Sequence, residues 1–162
     1  MLDRNIAPPI HQITDFDFVR PLSQKMANGV SLHIVSSGVQ PLINLQMSFQ
    51  VSDSQQKTSV LGNITSKMFT EGTKKRTASQ INAEIEKYGA ALEIESGFDF
   101  CTFDLYCLNK HLSPMLDLLH EILTEATFPE QELEKLRNIS LQKLKINKEK
   151  TAFVASQTFR NA

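Results

Sequence analysis

The chain has 162 residues, of which 41% are hydrophobic and 22% are charged, so it is long enough to bury a hydrophobic core as one globular domain. Its 17 lysines and arginines balance 18 aspartates and glutamates, and the net charge of −1 provides no field that would attract nucleic acid or an anionic membrane. The N-terminal stretch carries Asp3 and two prolines where a signal peptide would have its apolar core, and no apolar run reaches the length of a membrane span. We therefore expect a cytoplasmic protein with neither nucleic acid nor membrane as a partner.

The first segments of the chain divide into a leader and the start of a domain. Prolines interrupt residues 1–28, which are predicted to form an arm, and residues 29–162 are predicted to form a single domain. Asn28-Gly29 signals a turn before a first strand at 30–35. Apolar and polar residues then alternate without a break over 43–51, which predicts a strand with one buried face.

Two helices are predicted next. The first carries an apolar stripe at helical spacing, formed by Val60, Leu61, Ile64 and Met68. The second begins with the capping box Thr77-x-x-Gln80 and ends at Gly89, a residue suited to the left-handed position after a helix. The tripeptide Lys74-Lys75-Arg76 between them is interpreted as a solvated loop.

A hairpin is predicted from residues 91–95 and 98–108 around a turn at Ser96-Gly97. Apolar side chains occur on both sides of its second strand, which predicts that the strand is covered on both faces. Cys101 and Cys107 lie six residues apart in this strand, about 20 Å when extended, and this separation excludes a disulfide between them. Free thiols are typical of a reducing compartment.

The last two predicted helices complete the fold class. Ser113-Pro114 suggests the N-cap and first residue of a third helix, and Phe128-Pro129 separates it from a fourth that runs to about Lys148. The inward residues of the fourth helix are expected to be Leu133, Leu136, Ile139 and Leu144. The order β-β-α-α-β-β-α-α predicts a two-layer α+β domain, with helices packed on a mostly antiparallel sheet.

Residues 61–73, Leu-Gly-Asn-Ile-Thr-Ser-Lys-Met-Phe-Thr-Glu-Gly-Thr, resemble the zinc-binding helix of the M16 metallopeptidases, the family of pitrilysin, insulinase and the mitochondrial processing peptidase. Further motifs follow in the family's order and approximate spacing: Asn28-Gly29-Val30, Ile85-x-x-Tyr88-Gly89, Phe128-Pro129-Glu130 and Glu134-Lys135-x-Arg137. The resemblance extends from about Leu22 to the end of the chain. It implies the metallohydrolase-like α+β domain of this family.

Active members of the family carry His-x-x-Glu-His in this helix, and the resemblance places Asn63, Ser66 and Lys67 at those three positions. The third zinc ligand, a glutamate, corresponds to Gln142 or Lys143. Asparagine is a poor zinc ligand, serine is no base near neutral pH, and an ammonium repels a cation. The chain is therefore expected to bind no metal and to have no catalytic residues, and zinc is expected only in a partner subunit.

In this family the strand after the Tyr-Gly turn forms a sheet edge, to which an extended peptide adds as another strand. The corresponding segment here is Leu92, Glu93, Ile94 and Glu95, where active members tend to have a small Asn-Ala pair. The resemblance thus suggests a peptide-binding edge whose side chains depart from the family pattern. Family members also continue with further strands and a second domain of the same fold, so we expect this chain to be truncated before them.

Three functions follow from these features. The first is a noncatalytic subunit that assembles with an active, zinc-bearing M16 homologue and helps to bind or enclose peptides. The second is a self-contained peptide-binding or structural homodimer without enzymatic activity. The third is a metal-dependent peptidase with substitute ligands, which would require activity that a chelator abolishes.

Overall fold

The computed structural model describes residues 18–51, 59–97 and 99–160, and the chain divides into two compact units, Met1–Gln40 and Pro41–Ala162. The first unit contains an antiparallel hairpin of β1 (Leu22–Lys25) and β2 (Ser31–Ile34). Its turn is closed by the Gly29 amide, which donates to the carbonyl of Met26, and Gly29 has a φ of 88° that glycine adopts at little cost. The predicted strand at 30–35 therefore forms as β2, and its partner lies in the segment predicted as an arm.

The second unit has two layers, a sheet and helices, as predicted. In chain order it contains β3 (Leu42–Gln50), α1 (Ser59–Met68), α2 (Ala78–Lys87), β4 (Ala91–Ser96), β5 (Phe100–Leu108), a short 3₁₀ helix (Asn109–His111), α3 (Leu112–Glu125), α4 (Glu130–Lys148) and α5 (Thr151–Arg160). The strands pair antiparallel in the order β3-β5-β4, so β5 is central and β4 forms one edge of the described sheet. No helix in the described part of the chain is long and apolar enough to cross a membrane.

The core lies between one face of β5 and helices α2 and α3. Phe103, Leu105 and Cys107 point into it from alternate positions of β5. They meet side chains with at most 4% exposure from the two helices, namely Ile81, Met115, Leu118, Leu119 and Ile122. Burying each large apolar side chain contributes roughly 1.5–3 kcal/mol to folding, so this contact accounts for the packing of the helices on the sheet.

The opposite face of the sheet is open in the described residues, and the prediction that β5 is covered on both faces is wrong. Phe100 is 50% exposed and Tyr106 is 37% exposed on that face. Their neighbours are largely polar: Gln46 of β3 donates a hydrogen bond of 2.8 Å to Asp104, and Glu93 and Glu95 of β4 are exposed. The apolar residues at alternate positions led to the wrong expectation, whereas the polar cross-strand neighbours are typical of a solvated face. Phe98, which the sequence predicts to lie on the same side of the strand as Phe100, lies outside the described residues.

The ends of α2 agree with the sequence prediction. The hydroxyl of Thr77 accepts from the amide of Gln80, and the Gln80 side chain accepts from the amide of Thr77, which completes the capping box. Gly89 follows the helix with a φ of 58°, in the left-handed region. Both signals are local, which explains why the sequence predicted them correctly.

The third and fourth helices differ from their predictions in part. α3 begins at Leu112 rather than after Ser113, because the preceding 3₁₀ turn already directs the chain into the helix and His111 occupies the N-cap. Pro114 is accommodated in the first turn, where backbone amides have no partner within the helix. α4 begins after Pro129 as expected, but three side chains predicted to be inward are 39–49% exposed, namely Leu133, Ile139 and Leu144.

Candidate functional site

The helix that resembles the family's zinc-binding segment, α1, packs beside β4, and its burial pattern differs from the predicted stripe. Met68 and Ser66 are each 2% exposed, whereas Leu61, predicted to be inward, is 58% exposed. Ile64 is half-buried, and the side chain of Val60 lies outside the described residues. The predicted stripe is therefore buried toward the C-terminal end of α1 and exposed at Leu61, which apolar spacing alone did not indicate.

The three positions that correspond to the zinc motif have different surroundings. Asn63 and Lys67 are exposed, while Ser66 is buried. The Ser66 hydroxyl donates to the Asn63 carbonyl at 3.0 Å, a bond within its own helix turn. Ser66, which the resemblance aligns with the general base, therefore donates its hydroxyl hydrogen to the backbone. It has no carboxylate that could accept a proton from a water molecule.

The residues near the expected third ligand are not brought to this position. Gln142 and Lys143 are both exposed on α4, whereas Leu136 of α4 lines a cavity together with Ser66 and Lys67 of α1. Across the described residues, no group of three histidine, cysteine, aspartate or glutamate side chains could hold a metal ion. The side chains that the resemblance assigns to the ligand positions, Asn63, Lys67 and either Gln142 or Lys143, are amides or ammonium groups and do not fit zinc.

A hollow of about 300 Å³ opens where the end of α1 meets β4 and α4. Leu92 and Ile94 of β4 and Leu136 of α4 give it an apolar floor. Polar side chains from α1 and the turn after it complete the lining: Ser66, Lys67, Thr70 and Glu71. The degenerate motif and the candidate edge strand therefore share one small cavity.

The hydrogen bonds of β4 determine which of its backbone groups face the free edge. The Gly97 amide donates to the Phe100 carbonyl at 2.8 Å, so these two residues form a hydrogen-bonded pair. Hydrogen-bonded and non-hydrogen-bonded pairs alternate in an antiparallel ladder, so Glu95 and Glu93 direct their backbone groups toward β5. On the other side of β5, the Val51 amide donates to the Asp99 carbonyl at 2.7 Å, so odd-numbered residues of β5 bond to β3. The even-numbered residues of β5 are therefore free to bond to β4, which agrees with the pairing given above.

It follows that the N–H and C=O groups of Leu92 and Ile94 point away from β5, toward the outer edge of β4. Their side chains point into the hollow, since side chains and backbone polar groups of a strand are roughly perpendicular. Glu93 and Glu95 instead expose their carboxylates on the open face of the sheet. The four residues predicted to form a peptide-binding edge thus present backbone groups, apolar side chains and carboxylates in three different directions.

The turn after the motif helix is held by a polar cluster that the sequence did not predict. Thr73 donates to the Oε1 atom of Glu121 at 2.6 Å, and Arg76 forms an ion pair with the Oε2 atom of the same carboxylate. The Thr73 hydroxyl also accepts from the amides of Lys75 and Arg76, at 3.2 and 2.9 Å. Lys75 pairs with Glu125 at 2.8 Å. The interpretation of the basic tripeptide as a solvated loop therefore holds for the exposed side chains of Lys74 and Lys75, and it is wrong for Arg76, which is half-buried against α3.

Glu121 is the only acidic residue among the buried side chains of α3, with 6% exposure. Burial alone would raise its pKa, but hydrogen bonds from Thr73 and Arg76 and the positive charges of Arg76 and Lys75 together lower the pKa of Glu121. The carboxylate is therefore charged at neutral pH. A signal was present in the sequence, because a glutamate beside inward residues of a helix requires a partner.

A second, apolar cavity of about 390 Å³ lies between α1 and the sheet, lined among others by Phe49, Leu61, Cys101 and Phe103. Cys101 is half-buried there and Cys107 is buried in the core, and both are free thiols. Burial raises the pKa of both thiols. Neither cysteine has the lowered pKa that is typical of a nucleophile.

Comparisons with known proteins identify relatives of this chain. Residues 54–162 match the model of the insulinase family, peptidase family M16. The mitochondrial cytochrome b-c1 complex subunit 1 of Bos taurus is 30% identical over 77 residues, which are 48% of this chain and 16% of that protein. The uncharacterized zinc protease YmxG of Bacillus subtilis is 25% identical over 79 residues, 49% of this chain and 19% of that protein. The chain thus spans less than a fifth of the length of these relatives.

Solved structures show the same fold. The M16 inactive domain from Pseudomonas fluorescens superposes with a TM-score of 0.78 at 22% identity, over 86% of this chain and 35% of that one. The periplasmic protease PqqL of Escherichia coli superposes with a TM-score of 0.71 at 16% identity, over 85% of this chain and 16% of that one. The family match covers 109 of the 162 residues, so the chain belongs to the insulinase family of peptidases, M16.

Proposed function

We propose that this chain is a noncatalytic M16 subunit that holds extended peptides along β4 and assembles with a zinc-bearing homologue. The observation that carries the proposal is the combination at one place of a degenerate motif helix and a strand edge with outward backbone groups. The chemistry of hydrolysis has no side chain to perform it here, whereas backbone pairing requires none.

The absence of catalysis is supported by the type and placement of the four residues concerned. Asn63 and Lys67 extend into solvent, the hydroxyl of Ser66 is bonded within its helix, and Lys143 lies exposed on α4. The positive charge of Lys67 opposes zinc binding electrostatically, and neither Gln142 nor Lys143 supplies a carboxylate. The similar domain from Pseudomonas fluorescens is itself described as inactive.

Peptide binding is supported by the outer edge of β4. Two N–H and two C=O groups, on Leu92 and Ile94, face that edge and can pair with an added strand. The hollow between β4, α1 and α4 can receive a side chain of the added strand, because alternate residues of that strand would point toward Leu136. Affinity would come from main-chain hydrogen bonds and selectivity from the side chains on either face.

Assembly with a homologue is supported by the relatives and by the surface of α4. The mitochondrial relative is named as subunit 1 of a complex. Several large apolar side chains of α4 are 43–57% exposed in this chain, namely Ile139, Leu141, Leu144 and Ile146. By helical spacing Ile139 and Ile146 share one side of α4 and Leu141 and Leu144 share another, and exposed apolar side chains of this kind favour contact with other polypeptides.

Zinc analysis and peptide binding test the proposal on the purified chain. We expect no stoichiometric zinc by elemental analysis after dialysis, no cleavage of unstructured peptides, and binding of labelled extended peptides in fluorescence polarisation. Ile94→Pro removes an outward N–H but no hydrogen bond to β5, so it should abolish binding. Ile94→Ala removes the same packing but keeps the N–H, and it should retain most of the binding.

Stoichiometric zinc with chelator-sensitive cleavage would contradict the proposal and support the peptidase with substitute ligands. The partner is tested by mixing the chain with active M16 homologues from its host and measuring mass by light scattering. A stable homodimer that does not bind those homologues would instead support the self-contained peptide-binding dimer.

A cytoplasmic location belongs to the same proposal and is supported by the two free thiols of β5. The similar proteins are named from different compartments, one mitochondrial and one periplasmic. Fractionation of host cells with an antibody against the chain would decide the location.

A further inference from the structure

The open face of the sheet beside the β4 edge carries carboxylates and no base. Glu93 and Glu95 of β4 are exposed on this face, and Asp104 of β5 lies directly opposite Glu93 in the register. Gln46 donates to Asp104, but no lysine or arginine occupies a position of this face in the described strands. Like charges directly opposite one another on a sheet are destabilising. A basic side chain arriving beside Glu93 would relieve that repulsion.

The pairing phase of β4 determines how closely such a side chain can approach. Leu92 and Ile94 would form the hydrogen-bonded pairs with an added strand, so Glu93 would face a residue in a non-hydrogen-bonded pair. Facing side chains are closest in pairs of that kind, with Cβ atoms about 4.5–5.5 Å apart. Glu95 would face the residue two positions along the same peptide.

We propose that the β4 edge selects extended peptides that carry basic residues at two alternate positions, one facing Glu93 and the other facing Glu95. The residue between them points to the opposite face, toward Leu92 and Ile94, and is apolar to suit the floor of the hollow. The ligand class is thus a basic-apolar-basic segment in extended conformation. This inference rests on the proposed function, because it names the peptides that the edge would hold.

Fluorescence polarisation with four labelled peptides of equal length tests the selection. One has arginine, an aliphatic residue and arginine at its centre, the second has glutamines and the third glutamates in place of the arginines. The fourth keeps the first peptide's composition but places the arginines side by side, so that they point to opposite faces. We expect the first to bind most tightly and the glutamate peptide least.

Carboxylate variants assign the preference to this face. Glu93→Gln and Glu95→Gln should each weaken the arginine peptide by about 1.5- to 5-fold and leave the glutamine peptide unchanged. Glu149→Gln, which removes an exposed carboxylate at the end of α4, is the matched control and should not alter binding. A double reversal, Glu93→Lys with Glu95→Lys, should prefer the glutamate peptide.

Two results would overturn the inference in distinguishable ways. If all four peptides bind equally and the carboxylate variants have no effect, the edge binds peptides without charge selection, and the proposed function stands alone. If no peptide binds, while circular dichroism and thermal unfolding show a folded chain, both the selection and the peptide-binding function are refuted.

Discussion

The buried carboxylate of Glu121 provides a quantitative test of how the turn after the motif helix is held. Glu121→Gln keeps an oxygen that accepts from Thr73 but removes the charge that faces Arg76. Hydrogen bonds to charged groups contribute about 1.5–3 kcal/mol, and the Arg76 side chain is 36% exposed, so solvent screens part of this interaction. We therefore expect the free energy of unfolding to fall by about 1–2 kcal/mol.

Thermal and urea unfolding measure this change, which corresponds to a lower midpoint by roughly 2–8 °C for a chain of this size. Glu132→Gln is the control, because Glu132 forms an ion pair with Lys135 on the exposed surface of α4. Surface pairs spaced three or four residues apart in a helix contribute only about 0.3–0.5 kcal/mol. The two variants change charge equally and differ in the burial of the carboxylate.

The pH dependence of the difference in unfolding free energy between the parent chain and Glu121→Gln tests the ion pair further. The pKa of Glu121 is lowered in the folded chain, so its stabilising effect is complete above the unfolded value of about 4.3 and disappears as the pH falls through the folded value. The gap in stability between the parent chain and Glu121→Gln should therefore be largest at neutral pH and shrink under acid. A gap that is the same at pH 3.5 and pH 7, or one no larger than that of the control, would refute the ion-pair reasoning.

Three further predictions concern the framework. Gly89→Ala should cost about 1 kcal/mol, because its φ of 58° disfavours a side chain, whereas Gly97→Ala, without positive φ, should change the thermal midpoint little. Thr77→Ala removes the N-cap of α2 and should lower the urea midpoint by an amount equivalent to about 1 kcal/mol; an unchanged midpoint would contradict the cap. With a thiol reagent at pH 8, half-buried Cys101 should react before buried Cys107. Both should react more slowly than free cysteine, because burial raises the pKa of both thiols. Equal and fast reaction of the two thiols would contradict their burial.

The parts of the fold that the sequence predicted are those governed by local rules. Alternation over residues 43–51 identified β3 because a strand repeats every two residues. The capping box at Thr77 and the glycine at position 89 identified both ends of α2 because caps involve near neighbours in the chain. The turn between β4 and β5 followed from Ser96-Gly97 in the same way.

The parts that it did not predict depend on contacts distant in sequence. Arg76 meets Glu121 across 45 positions, so the sequence around Glu121 indicates that it needs a partner but does not indicate which residue is the partner. The exposure of Leu61 depends on how the start of α1 packs against the sheet, and apolar spacing does not encode this. The sequence also did not predict that apolar side chains of α4 are exposed. Their spacing is helical whether or not a partner covers them.

The candidate site combines the two kinds of information. The assignment of Asn63, Ser66 and Lys67 to the family's His-x-x-Glu-His positions is a prediction that rests on the order of residues in the motif alone. The outward direction of the Leu92 and Ile94 backbone groups could not be predicted in this way, because it depends on the pairing phase between β4 and β5. A shift of that phase by one residue would have exposed the other set of backbone groups at the same edge.

Peptide binding and catalysis depend on different groups in an M16 fold, so one can be lost without the other. Zinc chemistry depends on four particular side chains, and any of them can be lost by substitution without altering the backbone. Pairing at a strand edge depends on backbone N–H and C=O groups, which every residue except proline retains. A noncatalytic chain of the proposed kind can therefore lose the ligand side chains and keep the backbone groups of its β4 edge. The carboxylates of Glu93 and Glu95 can then specialise that edge for one class of peptide.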